Sequence, residues 1–186
     1  MALTPSNMLP LGSIASDFCL PDGKGELHHL KDLVGDNGLL VGFISNHCPY
    51  VIHIADSLAK LSQNIVQYQV GMVAINSNDV TAYPADSPEK MLIESQQRGY
   101  QFPYLFDETQ QVAVAYQAAC TPDFYLFDRE LKLVYRGQFD DSRPGSEIAV
   151  NGQHLYAALE ALHSGEQITV EQKPSIGCNI KWRPQN

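Results

Sequence analysis

The residues best placed for chemistry are His47, Cys48 and Pro49, at the junction between the apolar run LLVGFIS (39–45) and a stretch of helical spacing. A cysteine that opens a helix sits among backbone N–H groups with no intrahelical acceptor, where the summed peptide dipoles leave partial positive charge. That setting favours the thiolate, which is the nucleophilic form. Cys48 is therefore read as a solvent-reachable nucleophile rather than the small buried hydrophobe that a free cysteine usually is. His47 and His53 flank it, placed to add charge or to donate to the sulfur. Imidazole and thiolate together also suit zinc or copper, and His28-His29 offer more imidazole. The spacing of His47, Cys48 and His53 follows no paired zinc-ligand pattern, however, so no metal and no cofactor is expected.

The elements that must position this cysteine are legible on either side of it. The run at 39–45 has the pattern of a strand buried on both faces. From Pro49 onward Ile52, Ile54, Ala55, Leu58, Leu61 and Ile65 recur at helical spacing, and proline suits the first helical position. Val70 to Ile75 (VGMVAI) reads as a second buried strand, so strand, helix and strand follow within about 35 residues and imply a right-handed parallel crossover. Upstream, Asp17–Leu20 and Glu26–Leu30 flank the turn sequence Pro21-Asp22-Gly23-Lys24-Gly25 and predict a hairpin. Downstream, Ser87-Pro88-Glu89 opens a helix that runs to Arg98 and stops at Gly99. A short helix follows over Thr109–Gln117. Asp123–Asp128 and Lys132–Gly137 read as an antiparallel pair, and Gln153–His163 as the last helix. The tail from Val170 to Asn186, with Pro174, Gly177 and Pro184, reads as an extended segment crossing the surface.

The chain has 186 residues, enough for one core without staples, and its 44% hydrophobic and 18% charged composition is that of a globular domain. The expected division is a domain over 1–169 and a tail over 170–186 packed on it. A net charge of −9 with scattered basic residues argues against nucleic acid as a partner. Met1 to Gly12 lacks a cationic start followed by an apolar run, and no stretch approaches a membrane span, so a soluble, cytoplasmic protein is expected. Four cysteines at 19, 48, 120 and 178 are too few and too scattered for a secreted disulfide framework. Cys19, inside DFCLPDG, reads as core.

Four blocks carry a family likeness: NHCPYV (46–51), CTPDFYLFD (120–128), RGQFDDSRPG (136–145) and PSIGCNIKW (174–182). With them the chain resembles the peroxiredoxin-like branch of the redoxin (alkyl hydroperoxide reductase/thiol-specific antioxidant) family over nearly its whole length. The resemblance implies an α/β thioredoxin fold, a three-layer α/β/α sandwich around a mixed sheet, here with an N-terminal hairpin and an extended C-terminal tail. It places Cys48 at the reactive-cysteine position and Pro122 at the cis-proline whose loop packs beside it, with Asn46, His47, Pro49, Tyr50 and Thr121 around the substrate. Of the family's Pro-x-x-x-Thr/Ser-x-x-Cys motif, Ser45 matches the hydroxyl position and Val41 stands at the proline position. Pro122 takes the place of the arginine that peroxiredoxins present near the later strand, which leaves Arg143 or Arg136 to polarise a peroxide. Val51 stands where a CxxC motif has its second cysteine, so a dithiol across one helical turn is excluded.

The implied function is that of a thiol-dependent, antioxidant-type oxidoreductase, in which Cys48 reacts with a peroxide or with a protein or small-molecule disulfide. A sulfenic acid formed at Cys48 calls for a second thiol to trap it. Cys120, at the rim of the implied site, and Cys178, on the tail, both qualify, and a separate Cys120–Cys178 pair is a third arrangement. Thioredoxin or glutathione would return the electrons, and a homodimer is among the assemblies the reading allows. Two rival functions fit the same sequence: a non-catalytic module that holds an extended chain near Pro122 by strand addition, and a thiol/histidine metal carrier.

Overall fold

The computed structural model describes residues 3–169 and 171–184. In chain order the strands are β1 (Leu3–Pro5), β2 (Cys19–Pro21), β3 (Leu27–His29), β4 (Gly38–Phe43), β5 (Val70–Asn76), β6 (Tyr104–Phe106), β7 (Cys120–Thr121), β8 (Asp123–Asp128), β9 (Leu133–Gly137) and β10 (Ile176–Asn179). The helices are α1 (Leu30–Leu33), α2 (Pro49–Asn64), α3 (Pro88–Arg98), α4 (Gln111–Ala115) and α5 (Gln153–His163).

The central sheet has five strands in the order β6-β5-β4-β8-β9. β4 pairs parallel with β5 through the α2 crossover and antiparallel with β8. Every residue of β4 is buried. Alternation along the strand divides its side chains between two cores. Leu40 and Ile44 join Ile54, Leu58, Leu61 and Leu159 of α2 and α5 on one face. Leu39, Val41 and Phe43 join the hairpin, α1 and α4 on the other. The expected three-layer α/β/α arrangement follows from this division.

Several boundaries match the sequence for identifiable reasons. Ser87 caps α3 by accepting from Lys90 N, and Gly99 ends it at φ 72°. The last helix, Gln153–His163, has the expected limits. Ile52 proves exposed, and Val51 takes the inward position instead. The short helix contracts to Gln111–Ala115, while α1, β1 and β6 are too short to show a period.

The tail departs most from expectation. Instead of crossing the surface, β10 lies between β1 and β7 in a second, three-stranded sheet, antiparallel to both. Ser175, Cys178, Ile180 and Lys181 of this segment are all buried. Among the described residues no helix is long and apolar enough to cross a membrane.

Candidate active site

Cys48 occupies the N-cap of α2, with Pro49 in the first turn and the Cys48 carbonyl accepting from Ile52 N at 2.9 Å. Its thiol donates to the carbonyl oxygen of Thr121 at 3.1 Å. The Thr121–Pro122 peptide bond is cis. Ser45, just past the end of β4, meets Thr121 Oγ1 through its hydroxyl at 3.3 Å. The turn after β4 and the loop before β8 thus present Ser45, Cys48, Thr121 and Pro122 to one another, as the sheet order requires of neighbouring strands.

The expectation that solvent reaches Cys48 is not met: the residue has no exposed surface. The cover is β10. Cys178 is registered opposite Thr121, and Asn179 opposite Cys120. Side chains alternate between the faces of a sheet, so Cys178 shares a face with Thr121 while Cys120 shares the other with Asn179. Cys178 accordingly interacts side chain to side chain with Cys48. Burial, and then this contact, push the Cys178 thiol up to about 12. Cys120 is directed to the carbonyls of Pro122 and Ser175, at 3.8 and 3.9 Å, and burial pushes its thiol up as well. Gly177 permits this close lamination, because a Cβ there would lie 2.0 Å from Thr121 O.

The two histidines do not serve the sulfur. His47 pairs through Nδ1 with the buried Asp86 at 2.7 Å and stacks on Tyr83 with ring centroids 5.3 Å apart. Its neighbour Asn46 donates from its backbone to the same carboxylate at 2.8 Å, so both residues anchor the turn before α2 to the Tyr83–Asp86 loop. His53 bonds instead to Ser142 Oγ at 3.1 Å. Pro49 is exposed and Tyr50 half-buried. Cys19 is exposed rather than core, because β2 lies in a two-stranded hairpin outside the main sheet; its sulfur is 3.6 Å from His29 Nε2. Among the described residues, the metal-type side chains that converge are Asp22, Glu26 and His28, on that hairpin and away from Cys48.

Arg143 lies at the edge of the site, lining a pocket with Tyr50, His53 and Pro122. Arg136 does not: it donates to Leu9 O and Gln172 Oε1, tying β9 to the N-terminal segment and the tail. Two groups escaped the sequence reading. Lys181 is buried, donating to Asn179 O and Oδ1 at 2.9 and 2.8 Å with its ammonium 5.6 Å from the Tyr83 ring centre. Among the described residues it forms no ion pair, and its charge acts on Cys178. Asp123, directly after Pro122, is fully buried and accepts from Ser6 Oγ and Tyr125 OH, both at 2.9 Å. Burial pushes its carboxyl up to about 7. A strand-borne carboxylate inside an otherwise apolar run was the available signal for Asp123; Lys181 had none beyond its closeness to Cys178.

A mixed sheet flanked by helices, with a cysteine at a helix N-cap facing a cis-proline loop, defines the thioredoxin-fold class. The thioredoxin domain of a thiol-disulfide oxidoreductase from Bacteroides vulgatus shares the fold, with a TM-score of 0.59 at 20% identity over 72% of this chain and 91% of that one. The chain belongs to the AhpC/TSA family, whose profile matches residues 11–136. It is 29% identical over 136 residues to the thiol-disulfide oxidoreductase ResA of Geobacillus kaustophilus, covering 72% of this chain and 74% of the relative. A crystal structure of an uncharacterized conserved protein from the same organism superposes with a TM-score of 0.97 at 51% identity, covering 100% of this chain and 99% of that one.

Proposed function

We propose that the protein is a thiol–disulfide oxidoreductase whose working pair is Cys48 and Cys178. The observation that carries this is the direct contact between the Cys178 side chain, on the tail strand, and the cysteine that caps α2. The Cys48 thiol gives up the proton it directs at Thr121 O and its sulfur attacks one sulfur of a disulfide substrate; the substrate S–S bond breaks and the departing half leaves as a thiolate that takes up a proton. Cys178 then loses its proton and attacks the Cys48 sulfur of the mixed disulfide. The Cys48–Cys178 bond forms and the second substrate thiol departs. The substrate is reduced to two thiols while the protein dithiol is oxidised, and a cellular thiol, thioredoxin or glutathione, returns the two electrons. The proposed compartment is the cytoplasm, where thiols are kept reduced.

Disulfide is favoured over peroxide by the surroundings of the sulfur. Its hydrogen-bond partner is a carbonyl, and neither arginine weighed for polarising a peroxide is bonded to it, Arg136 donating to Leu9 O and Gln172 Oε1 and Arg143 to the loop carbonyls of Asp140 and Ser142. Because Cys48 is sealed, exchange requires β10 to withdraw from β7 and then return with Cys178. The test is to mix reduced protein with bis(2-hydroxyethyl) disulfide or hydrogen peroxide and follow free thiols by mass spectrometry. Fast loss of Cys48 and Cys178 together with the disulfide, and slow loss with peroxide, is expected. Cys48 left untouched by both reagents would leave the non-catalytic binding module as the better reading.

A further inference from the structure

The pocket beside Pro122 contains a cation, Arg143, that forms no ion pair among the described residues. Arg143 donates through Nη1 to the carbonyls of Asp140 and Ser142, at 2.8 and 2.6 Å, and through Nη2 to Gln138 Oε1. All three acceptors are formally neutral, and among the described residues Arg143 forms no ion pair. The nearby carboxylate of Asp140 is already committed. Its Oδ1 accepts from Ser142 N and Oγ, and its Oδ2 from Asn151 N and Gly152 N, which together fix the loop.

This bonding consumes both Nη1 hydrogens and one on Nη2. The Nε–H and one Nη2–H have no acceptor among the described residues, and the Nε/Nη2 edge of a guanidinium is a fork that matches the two oxygens of a carboxylate. Tyr50 and His53, from the first turns of α2, line the same pocket. Ile54 and Phe139 add apolar wall, and one side is Ser175 and Ile176, where the tail enters β10. With the tail seated the pocket has room for about one water molecule. The strand that seals Cys48 therefore also closes the pocket, and its withdrawal opens both.

We propose that this pocket is a carboxylate subsite, in which the free edge of Arg143 holds the carboxylate of a small thiol or disulfide while its sulfur meets the Cys48–Cys178 pair. The inference rests on the thiol–disulfide reading above and adds the substrate class: low-molecular-weight disulfides that carry a carboxylate a few bonds from sulfur.

The test compares 3,3′-dithiodipropionate with its dimethyl ester, which have the same disulfide and differ in charge. The second-order rate constant for oxidation of the reduced protein is measured for each by acid quench and mass spectrometry. The acid-to-ester ratio is expected to fall about 10- to 100-fold in Arg143→Met, as for loss of a charge-assisted bidentate contact, and to recover partly in Arg143→Lys. A ratio unchanged by Arg143→Met overturns the subsite and leaves the redox reading intact. Glutarate, which has no sulfur, supplies a readout independent of redox chemistry. It is expected to bind the reduced wild-type protein in calorimetry and to lose that binding in Arg143→Met. Failure of both disulfides to react, with glutarate still bound through Arg143, sinks the redox reading and keeps the anion site, whereas absence of glutarate binding overturns the site.

Discussion

Cys178 stands directly opposite Thr121 in an antiparallel pair, and the Thr121 carbonyl, 3.1 Å away, is the acceptor for the Cys48 thiol. One residue before the cis-proline thus gathers both thiols, one along the backbone ladder and the other through a hydrogen bond. Oxidation of the native protein is expected to give a Cys48–Cys178 disulfide, since Cys120 projects from the opposite face of the same sheet. Non-reducing peptide mapping after treatment with one equivalent of oxidant checks this. Cys120→Ser should leave the linked peptide in place and Cys178→Ser should abolish it; a Cys48–Cys120 peptide would reverse the assignment.

Access to Cys48 depends on how closely β10 can lie against β7. Gly177→Ala places a methyl 2.0 Å from the Thr121 oxygen, so the strand must move away. A forced separation of this kind costs about 1–3 kcal/mol, which raises the open population about 5- to 150-fold. Iodoacetamide labelling of Cys48, read by mass spectrometry, should accelerate by that factor in Gly177→Ala. Labelling of exposed Cys19 serves as the internal control and should not change. Equal Cys48 rates in the two proteins would mean that reagent enters by a route other than under β10.

The sequence carried the parts of this site that local rules determine. Pro49 after Cys48 marks a helix start, because proline lacks the N–H that the first turn leaves unused, and LLVGFIS is buried on both faces by virtue of its unbroken apolar run. It could not carry what depends on pairing between distant segments. Cys178 meets Thr121, 57 residues earlier in the chain, through a four-residue strand with no period of its own, flanked by Pro174 and by a polar stretch. For the same reason Cys48 read as exposed: a helix-opening cysteine sits at a sheet end unless another segment covers it, and here the cover comes from the far end of the chain. Cys19 failed in the opposite sense, since its apolar neighbours suggested core while its strand pairs only within a surface hairpin.

Asp123 should make stability depend on pH. Burial pushes its carboxyl up to about 7 in the folded protein, against an ordinary value of 3.8. The folded state therefore binds the extra proton across this window, and the stability it contributes, present in full below pH 4, is lost as pH rises towards 7. The full effect is of order 4 kcal/mol. Denaturant unfolding at pH 4.5, 5.5, 6.5 and 7.5 is expected to show falling stability in the wild type and a flatter profile in Asp123→Asn, whose amide mimics the protonated acid. Parallel profiles would show that the carboxyl is ionised throughout.

Lys181 should govern the second half of the exchange cycle. Its ammonium is held against Asn179, next to Cys178, with no ion pair among the described residues, and its charge eases loss of the Cys178 proton against the opposing effects of burial and of Cys48. Lys181→Met removes that help, so the mixed disulfide on Cys48 should persist longer before Cys178 displaces it. With 5,5′-dithiobis(2-nitrobenzoate), the first equivalent of coloured thiolate reports attack by Cys48 and the second reports closure by Cys178. The second phase is expected to slow several-fold in Lys181→Met, to recover as pH is raised, and to be rescued by Lys181→Arg, which keeps the charge. A lysine acting only as a clamp on Asn179 would give a slowed phase that rising pH does not restore, because lost packing is not repaired by removing a proton from sulfur.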